Sequence, residues 1–228
     1  MNNKIQILCT LGPSSLNKKF LKFANKKVDL LRINLSHIEI KDLKKIIDYI
    51  KNFTKIPICV DTEGAQIRTK IKSSKFFKKD QIFKIYKKKN SISLYPEEIF
   101  NKLKIKDVLT IGFENLKAKI ISKNSKFVSL KTIFSGKFEN NKGVYVENRH
   151  VALNYLTKKD IEAIEISKKL KINNFALSFT NSERDINKFN TLLPKQNKIF
   201  KIESKKAINS IEKIIKAGNN FLIDRGDL

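Results

Sequence analysis

Three carboxylates stand at or just after the ends of short apolar segments that are typical of buried strands. Asp61 ends IPICVD, Glu203 ends KIFKIE and Asp227 follows FLIDRG. An α/β protein builds its site at the C-terminal ends of such strands. Lys201 precedes Glu203 by two residues, so both side chains point to one face. Because Glu203 and Asp227 close neighbouring strands, they could share one hard cation such as Mg²⁺. A lysine beside such a pair indicates phosphoryl transfer.

Arginine is rare in this chain, and most of it falls near the same strand ends. Of 48 lysine and arginine residues only five are arginine, and three of these are Arg32, Arg68 and Arg225. Arginine retained where lysine is used nearly everywhere else indicates a need for a planar, permanently charged group, which binds carboxylate and phosphate oxygens in pairs. We therefore expect an anionic and phosphorylated substrate.

The elements that must position these residues alternate between strand and helix. Strands are predicted over Ile5–Thr10, Val28–Leu35, Ile56–Thr62, Asn174–Phe179, Lys198–Glu203 and Phe221–Asp224. The intervening segments carry apolar residues at helical spacing, most clearly between Ile40 and Ile50. The predicted strand ends are 23 to 27 residues apart, except for one interval of 117. This repeat predicts a parallel sheet of the (β/α)₈ type, with a doubly wound sheet as the alternative.

The long interval has a different pattern. Its segments VLTIGF, LKAKIISK and KFVSLKTI alternate with period two, which predicts a small antiparallel β domain. We therefore divide the chain into 1–69, the first part of the main domain, 70–152, the inserted β-rich domain, and 153–228, the second part. Thr157 and Asp160 predict the start of the helix that follows the insertion.

Composition limits the class of protein. The formal charge of +26 allows a basic nucleic-acid-binding protein as an alternative. The lysines are spread along the chain together with much isoleucine and asparagine, however, so no specific nucleic-acid site is predicted. Cys9 and Cys59 lie in apolar strands, which indicates reduced thiols and a cytoplasmic protein. No apolar run approaches 18 residues, so no membrane segment is expected.

Eight motifs in order resemble those of pyruvate kinases: CTLGPSS, LLRINLSH, DTEGAQIRT, NKGV, LTKKD, ALSF, KIES and RGDL. The resemblance implies a (β/α)₈ barrel with a β-rich domain inserted after the third strand. It also implies a glycolytic transferase that moves phosphate from phosphoenolpyruvate to ADP, giving pyruvate and ATP. Such enzymes use Mg²⁺ and usually K⁺.

The resemblance also implies roles for single residues. Lys201 would be the catalytic lysine, and Arg32 would grip the phosphoryl group. Glu203 and Asp227 would hold Mg²⁺. Further residues are implied as ligands of K⁺, namely Asn34, Ser36, Asp61 and Thr62. A last set is implied to contact nucleotide phosphates, namely His37, Arg68 and Lys142.

Several positions depart from the pattern of that family. Glu63 and Ala65 stand where the family has lysine and proline, and Asp224 stands where alanine is common. Gln66 occupies the position whose charge decides the K⁺ requirement, so the sequence leaves that requirement open. Ser204 replaces an asparagine.

The family continues beyond RGDL with two more barrel strands and a further domain. We therefore expect about six βα units of an incomplete barrel, and a homo-oligomer where the C-terminal part is supplied. The alternative to a pyruvate kinase is a non-catalytic relative that binds phosphate compounds.

Overall fold

The computed structural model describes residues 5–88, 91–112, 116–147 and 149–224. Fifteen strands appear in these ranges: β1 (Leu8–Thr10), β2 (Leu30–Asn34), β3 (Ile58–Asp61), β4 (Ile67–Lys70), β5 (Lys75–Phe77), β6 (Ile82–Tyr86), β7 (Ser93–Tyr95), β8 (Val108–Ile111), β9 (Leu116–Lys123), β10 (Phe127–Phe134), β11 (Gly136–Phe138), β12 (Gly143–Val146), β13 (Asn174–Leu177), β14 (Asn197–Ile202) and β15 (Phe221–Ile223). The helices of the same ranges are α1 (Lys18–Ala24), α2 (Ile40–Phe53), α3 (Ile99–Lys102), α4 (Lys158–Lys169), α5 (Glu183–Leu192), α6 (Lys205–Asn209) and α7 (Ile211–Ala217).

The chain forms two compact units, and each has its own apolar core. The first unit comprises Met1–Ala65 and Asn154–Leu228, and the second comprises Gln66–Leu153. The sequence-based boundary after residue 69 falls inside β4, a strand that pairs with β7 and β12 of the second unit. The motif DTEGAQIRT thus begins in one unit and ends in the other.

The first unit is built on a six-stranded sheet whose order is β1-β2-β3-β13-β14-β15. Every neighbouring pair is parallel, as predicted. The strands follow one another in chain order, without the reversal that defines the switch point of a doubly wound sheet. The structure is therefore α/β with a parallel sheet of the half-barrel kind.

The helices of the first unit bury their apolar faces in one core. Leu43, Ile47 and Ile50 of α2 are fully buried, at the three- and four-residue spacing seen in the sequence. The segment between β14 and β15 forms two helices, α6 and α7, rather than one. Ser210 separates them, because it takes a non-helical conformation and its N–H bonds the carbonyl of Ala207.

The second unit contains a closed seven-stranded barrel of order β10-β6-β7-β4-β12-β8-β9, and β5 and β11 pair separately. The predicted antiparallel arrangement holds for all described barrel pairs except β6 with β7, which are parallel at Tyr86 and Ser93. The aromatic rings of Phe77, Phe83 and Phe138 lie in its core.

Within the described ranges, no helix has the length and apolar character needed to cross a membrane.

Candidate active site

Asp61, at the end of β3, is fully buried and joins side chains from three other segments of the sheet. Its Oδ2 accepts a hydrogen bond from Arg32 Nε at 2.7 Å and also contacts Nη2 of the same guanidinium. Lys201 Nζ lies 3.2 Å from this oxygen. Its other oxygen, Oδ1, accepts from Ser178 Oγ at 3.0 Å. One carboxylate therefore orients two cationic side chains at once.

Lys201 is the most enclosed cation of this group, with 2% of its surface exposed. Besides Asp61, its Nζ contacts Ser178 Oγ at 3.2 Å, Glu203 Oε1 at 2.6 Å and Asp224 Oδ2 at 3.4 Å. An ammonium has three hydrogens to donate, so its acceptors fill its hydrogen-bonding capacity. We call Arg32, Asp61, Ser178, Lys201 and Glu203 the Asp61 cluster.

Strand register explains why these residues meet. In the parallel sheet Arg32 lies level with Thr10 and Cys59, and Asn34 lies level with Asp61. Side chains that are level, or two residues apart on one strand, face the same side. Leu222 of β15 is level with Lys201 by the same rule. Thr10, Arg32, Asp61 and Lys201 thus lie on one face of the sheet.

Two backbone features hold Ser178 and Glu203 in place. Gly64 has φ +67°, and a Cβ there would collide with the carbonyl oxygen of Ser178. Glycine therefore lets the loop after β3 contact the segment after β13. Phe179 adopts φ +50°, which is uncommon for a residue with a side chain. In that conformation its N–H donates to Glu203 Oε2 at 2.7 Å. Both carboxylate oxygens of Glu203 are therefore engaged.

Burial and charge shift the pKa values in this cluster. Burial alone would lower the pKa of Lys201, but the charges of Asp61 and Glu203 outweigh it and the pKa rises. Burial likewise opposes the charged form of Arg32, and Asp61 again reverses the effect, so that its pKa also rises. Burial raises the pKa of Glu203 to about 7 against the opposing charge of Lys201. Lys201 and Arg32 are therefore permanently cationic near neutral pH.

A second buried carboxylate fastens the loop that follows Asp61. Asp160 Oδ1 accepts from the N–H of Glu63 at 2.7 Å, and Oδ2 accepts from the N–H groups of Gly64 at 3.2 Å and Thr157 at 2.8 Å. Thr157 and Asp160 also form the predicted capping box of α4. Burial raises the pKa of Asp160 to about 6, although these backbone hydrogen bonds oppose that rise.

The side chain of Glu63 adds a charged link to the same place. Its Oε1 lies 2.9 Å from Lys159 Nζ, and its Oε2 accepts from Thr157 Oγ1 at 3.3 Å. Lys159 Nζ also donates to the carbonyl of Leu35 at 2.5 Å, which joins the loop after β2 to the loop after β3. We call Glu63, Thr157, Lys159 and Asp160 the Asp160 cluster.

The four residues expected at a K⁺ site lie on the adjacent ends of β2 and β3. Asn34 Oδ1 accepts from the N–H of Ser36 at 3.0 Å, and Thr62 Oγ1 accepts from the N–H of Ser178 at 3.0 Å. Their oxygens are of the hard kind that such a cation takes. His37 is exposed at the end of the short 3-10 turn that follows Asn34.

Arg68 and Lys142 both belong to the second unit. The pairing of β4 with β12 brings these two residues close together. Arg68 is level with Gly143, and its Nη1 donates to the carbonyl of Asn141 at 3.3 Å. Lys142 pairs with Glu139 at 3.4 Å. The other predicted rim residues Arg225 and Asp227 lie outside the described residues.

The described side chains offer few ligands for Mg²⁺. Among the described residues no group of three or more His, Cys, Asp or Glu could hold a metal ion. Mg²⁺ usually takes only one or two protein carboxylates and completes its shell with water and substrate phosphates. Among the described residues, Glu203 supplies one buried carboxylate of the kind that such a site uses.

The sequence did not identify Ser178, Lys159 or Thr10 as site residues; Thr10 Oγ1 accepts from Arg32 Nη1 at 3.1 Å. Ser178 follows the apolar run of β13 directly, and that position was the available signal. Nothing in the sequence shows that Asp160, recognised only as a helix-capping residue, also binds two N–H groups of the loop after β3.

Comparison with known proteins agrees with the motifs. The sequence model of the pyruvate kinase barrel domain matches residues 2–228. Pyruvate kinases of Staphylococcus aureus strains MRSA252, USA300 and NCTC 8325 are each 27% identical to this chain over 244 aligned positions, covering 99% of this chain and 42% of the relative. The chain thus spans less than half the length of these relatives. Because the family model covers almost every residue, the chain belongs to the pyruvate kinase family.

Proposed function

We propose that this chain carries the phosphoryl-transfer site of a pyruvate kinase, which converts phosphoenolpyruvate and ADP to pyruvate and ATP in glycolysis. The observation that carries the proposal is the buried ammonium of Lys201, held among carboxylates beside the Arg32 guanidinium. Phosphoryl transfer depends on positioning and on positive charge near the moving group. A (β/α)₈ barrel, of which the six parallel strands would form the larger part, belongs to this proposal.

Three side chains of the Asp61 cluster, those of Lys201, Arg32 and Asp61, have proposed tasks in the reaction. The bond between phosphorus and the enol oxygen breaks, a bond to an oxygen of the ADP β-phosphate forms, and the enolate then takes a proton on carbon. Lys201 stabilises the negative charge on the phosphoryl group and on the enolate oxygen. Arg32 binds the phosphoryl oxygens as a planar fork. Asp61 is a positioning residue, because it contacts both cations.

The remaining assignments rest on family membership. His37, Arg68 and Lys142 would contact the phosphates of ADP and ATP. Glu203 and Asp227 would hold Mg²⁺, which when bound supplies further positive charge to the phosphate oxygens. Asn34, Ser36, Asp61 and Thr62 would hold K⁺, with the requirement for it left open by Gln66. A cytoplasmic location is supported by the free thiols of Cys9 and Cys59.

The test is pyruvate formation by the purified 228-residue chain from phosphoenolpyruvate and ADP with Mg²⁺, with and without K⁺. Replacing Lys201 by Met should lower turnover by about 10²–10³-fold, the loss typical of one electrostatic group at a transition state. Lys195→Met is the matched control, since Lys195 is exposed, and it should leave turnover unchanged. Lys201→Arg keeps the charge if the Met variant fails to fold.

Absence of turnover in a folded wild-type chain would reject the enzymatic proposal for this polypeptide. Phosphoenolpyruvate binding measured calorimetrically in the same sample then decides the second candidate, a non-catalytic protein that binds phosphate compounds. The contact of Asp224 with Lys201 favours the loss of catalysis in that candidate, because it engages the ammonium that would otherwise stabilise the transferred phosphoryl group. A homo-oligomer also belongs to this proposal, and sedimentation of the purified protein measures it.

A further inference from the structure

Asp224 is a carboxylate that the pyruvate kinase motifs do not account for, and it stands directly at the Asp61 cluster. It follows β15, whose Leu222 is level with Lys201. Its N–H donates to the carbonyl of Ile202 at 3.2 Å, which extends the hydrogen bonding between β14 and β15 by one residue. Because Asp224 is two residues beyond Leu222, strand alternation turns its side chain to the face that carries Lys201.

The contact with Lys201 is made by a partly exposed carboxylate. Lys201 Nζ lies 3.4 Å from Asp224 Oδ2, whereas Glu203 and Asp61 are closer, at 2.6 Å and 3.2 Å. The side chains of those two carboxylates are 1% and 0% exposed, whereas that of Asp224 is 30% exposed. Asp224 is therefore the most exposed of the three carboxylates that contact Lys201.

Asp224 also changes the charge balance of the cluster. Without it, the cations Arg32 and Lys201 balance Asp61 and the ionised form of Glu203. With it, the group carries one more negative charge, whichever protonation state Glu203 holds. The field of Asp224 reaches Arg32 as well, where it is one of the interactions that favour the charged guanidinium. Both groups proposed to receive phosphate are thus partly neutralised by the same side chain.

We propose that Asp224 is a specificity-determining residue that competes with anions for Lys201. It weakens the binding of a bare phosphate anion at the Asp61 cluster, and so favours phosphate compounds that arrive with a divalent cation to offset the added charge. The inference rests on the proposed function only in taking this cluster as the phosphate site. Its effect on anion affinity requires no turnover.

The experiment measures binding of inorganic phosphate to the full chain by calorimetry, without divalent metal and at constant ionic strength. Asp224→Asn removes the charge and preserves the shape, and we expect phosphate to bind about tenfold more tightly. Asp224→Glu keeps the charge and should remain within twofold of wild type. Asp224→Ala serves as the second neutral variant if the asparagine variant unfolds.

A matched control separates a local effect from a general one. Asp48→Asn removes one carboxylate from α2, where Asp48 pairs with Lys44 on the exposed surface, and it should leave phosphate affinity unchanged. The inference is overturned if the neutral Asp224 variants bind phosphate no more tightly than wild type, if none of the proteins binds it, or if Asp48→Asn gives the same gain. A gain in affinity with no pyruvate formed would reject the proposed function and retain the inference.

Discussion

Asp61 and Asp160 are equally buried carboxylates of the same unit, yet they are stabilised in different ways. Both side chains are fully inaccessible to solvent. Asp61 faces two cationic side chains, Arg32 and Lys201, and the hydroxyl of Ser178. Asp160 accepts three backbone N–H groups and lies near the negative charge of Glu63.

The difference shows what each cluster can do. Charged side chains can exchange partners with a substrate, so the Asp61 cluster can bind an anion and stabilise a developing charge. Backbone N–H groups cannot leave without moving the chain, so the Asp160 cluster fixes the loop that follows Asp61. A reactive site and its support are thus built from the same residue type.

The strongest test of this contrast is Asp61→Asn. Two buried cations would lose their shared partner, and we expect the free energy of unfolding to fall by about 3–5 kcal/mol. Urea unfolding followed by circular dichroism measures the loss. The double variant Asp61→Asn/Lys201→Met should lose less than the sum of the single variants, because it removes both charges. Strict additivity would show that the two residues do not interact.

Asp160→Asn should have a smaller effect. The amide keeps one acceptor oxygen but presents an NH₂ group to backbone N–H groups, and about 1–3 kcal/mol of stability should be lost. Turnover of the folded variant should fall less than in Lys201→Met, because no charged group that meets the substrate is removed. Equal losses of turnover in the two variants would contradict the division between reactive site and support.

The pH dependence of stability gives an independent measurement. The pKa of Asp160 is raised to about 6 from an ordinary value of 3.8, so the folded state holds this proton more tightly than the unfolded state. Between about pH 4 and pH 6 the folded chain therefore binds more protons, and its free energy of unfolding decreases as pH rises. The contribution is on the order of 2 kcal/mol. This contribution should be absent when the free energy of unfolding of Asp160→Asn is measured against pH. Identical pH profiles for the variant and the wild type would contradict its assignment to Asp160.

Much of the sheet could be predicted from the sequence because its strands are short, apolar and regularly spaced. The C-terminal ends of parallel strands meet at one edge of the sheet, and residues two apart on a strand share a face, so the meeting of Asp61, Lys201 and Glu203 could be expected from their positions. Arg32 was expected to bind an anionic substrate, which stays a prediction; in the structure its guanidinium contacts Asp61 through two nitrogens.

The same argument from arginine has a limit that Arg149 illustrates. Its guanidinium binds both oxygens of Asp107, at 2.8 Å and 2.7 Å, inside the second unit and as a structural pair. Loop contacts were also beyond prediction, because no periodicity relates Glu63 to Lys159 across 96 residues. Such pairs depend on how two loops approach, which is decided by packing.

The smallest effect is expected where the sequence departs from its relatives in the supporting cluster. Glu63→Gln keeps an acceptor for Thr157 and removes the charge opposite Lys159, whose ammonium still binds the carbonyl of Leu35. We expect a loss of about 1 kcal/mol in the free energy of unfolding. The exposed pair of Lys44 and Asp48 is the reference, and Asp48→Asn should cost about 0.3–0.5 kcal/mol. If Glu63→Gln costs no more than Asp48→Asn, the link between Glu63 and Lys159 behaves as a surface ion pair, and the backbone hydrogen bonds of Asp160 alone hold the loop.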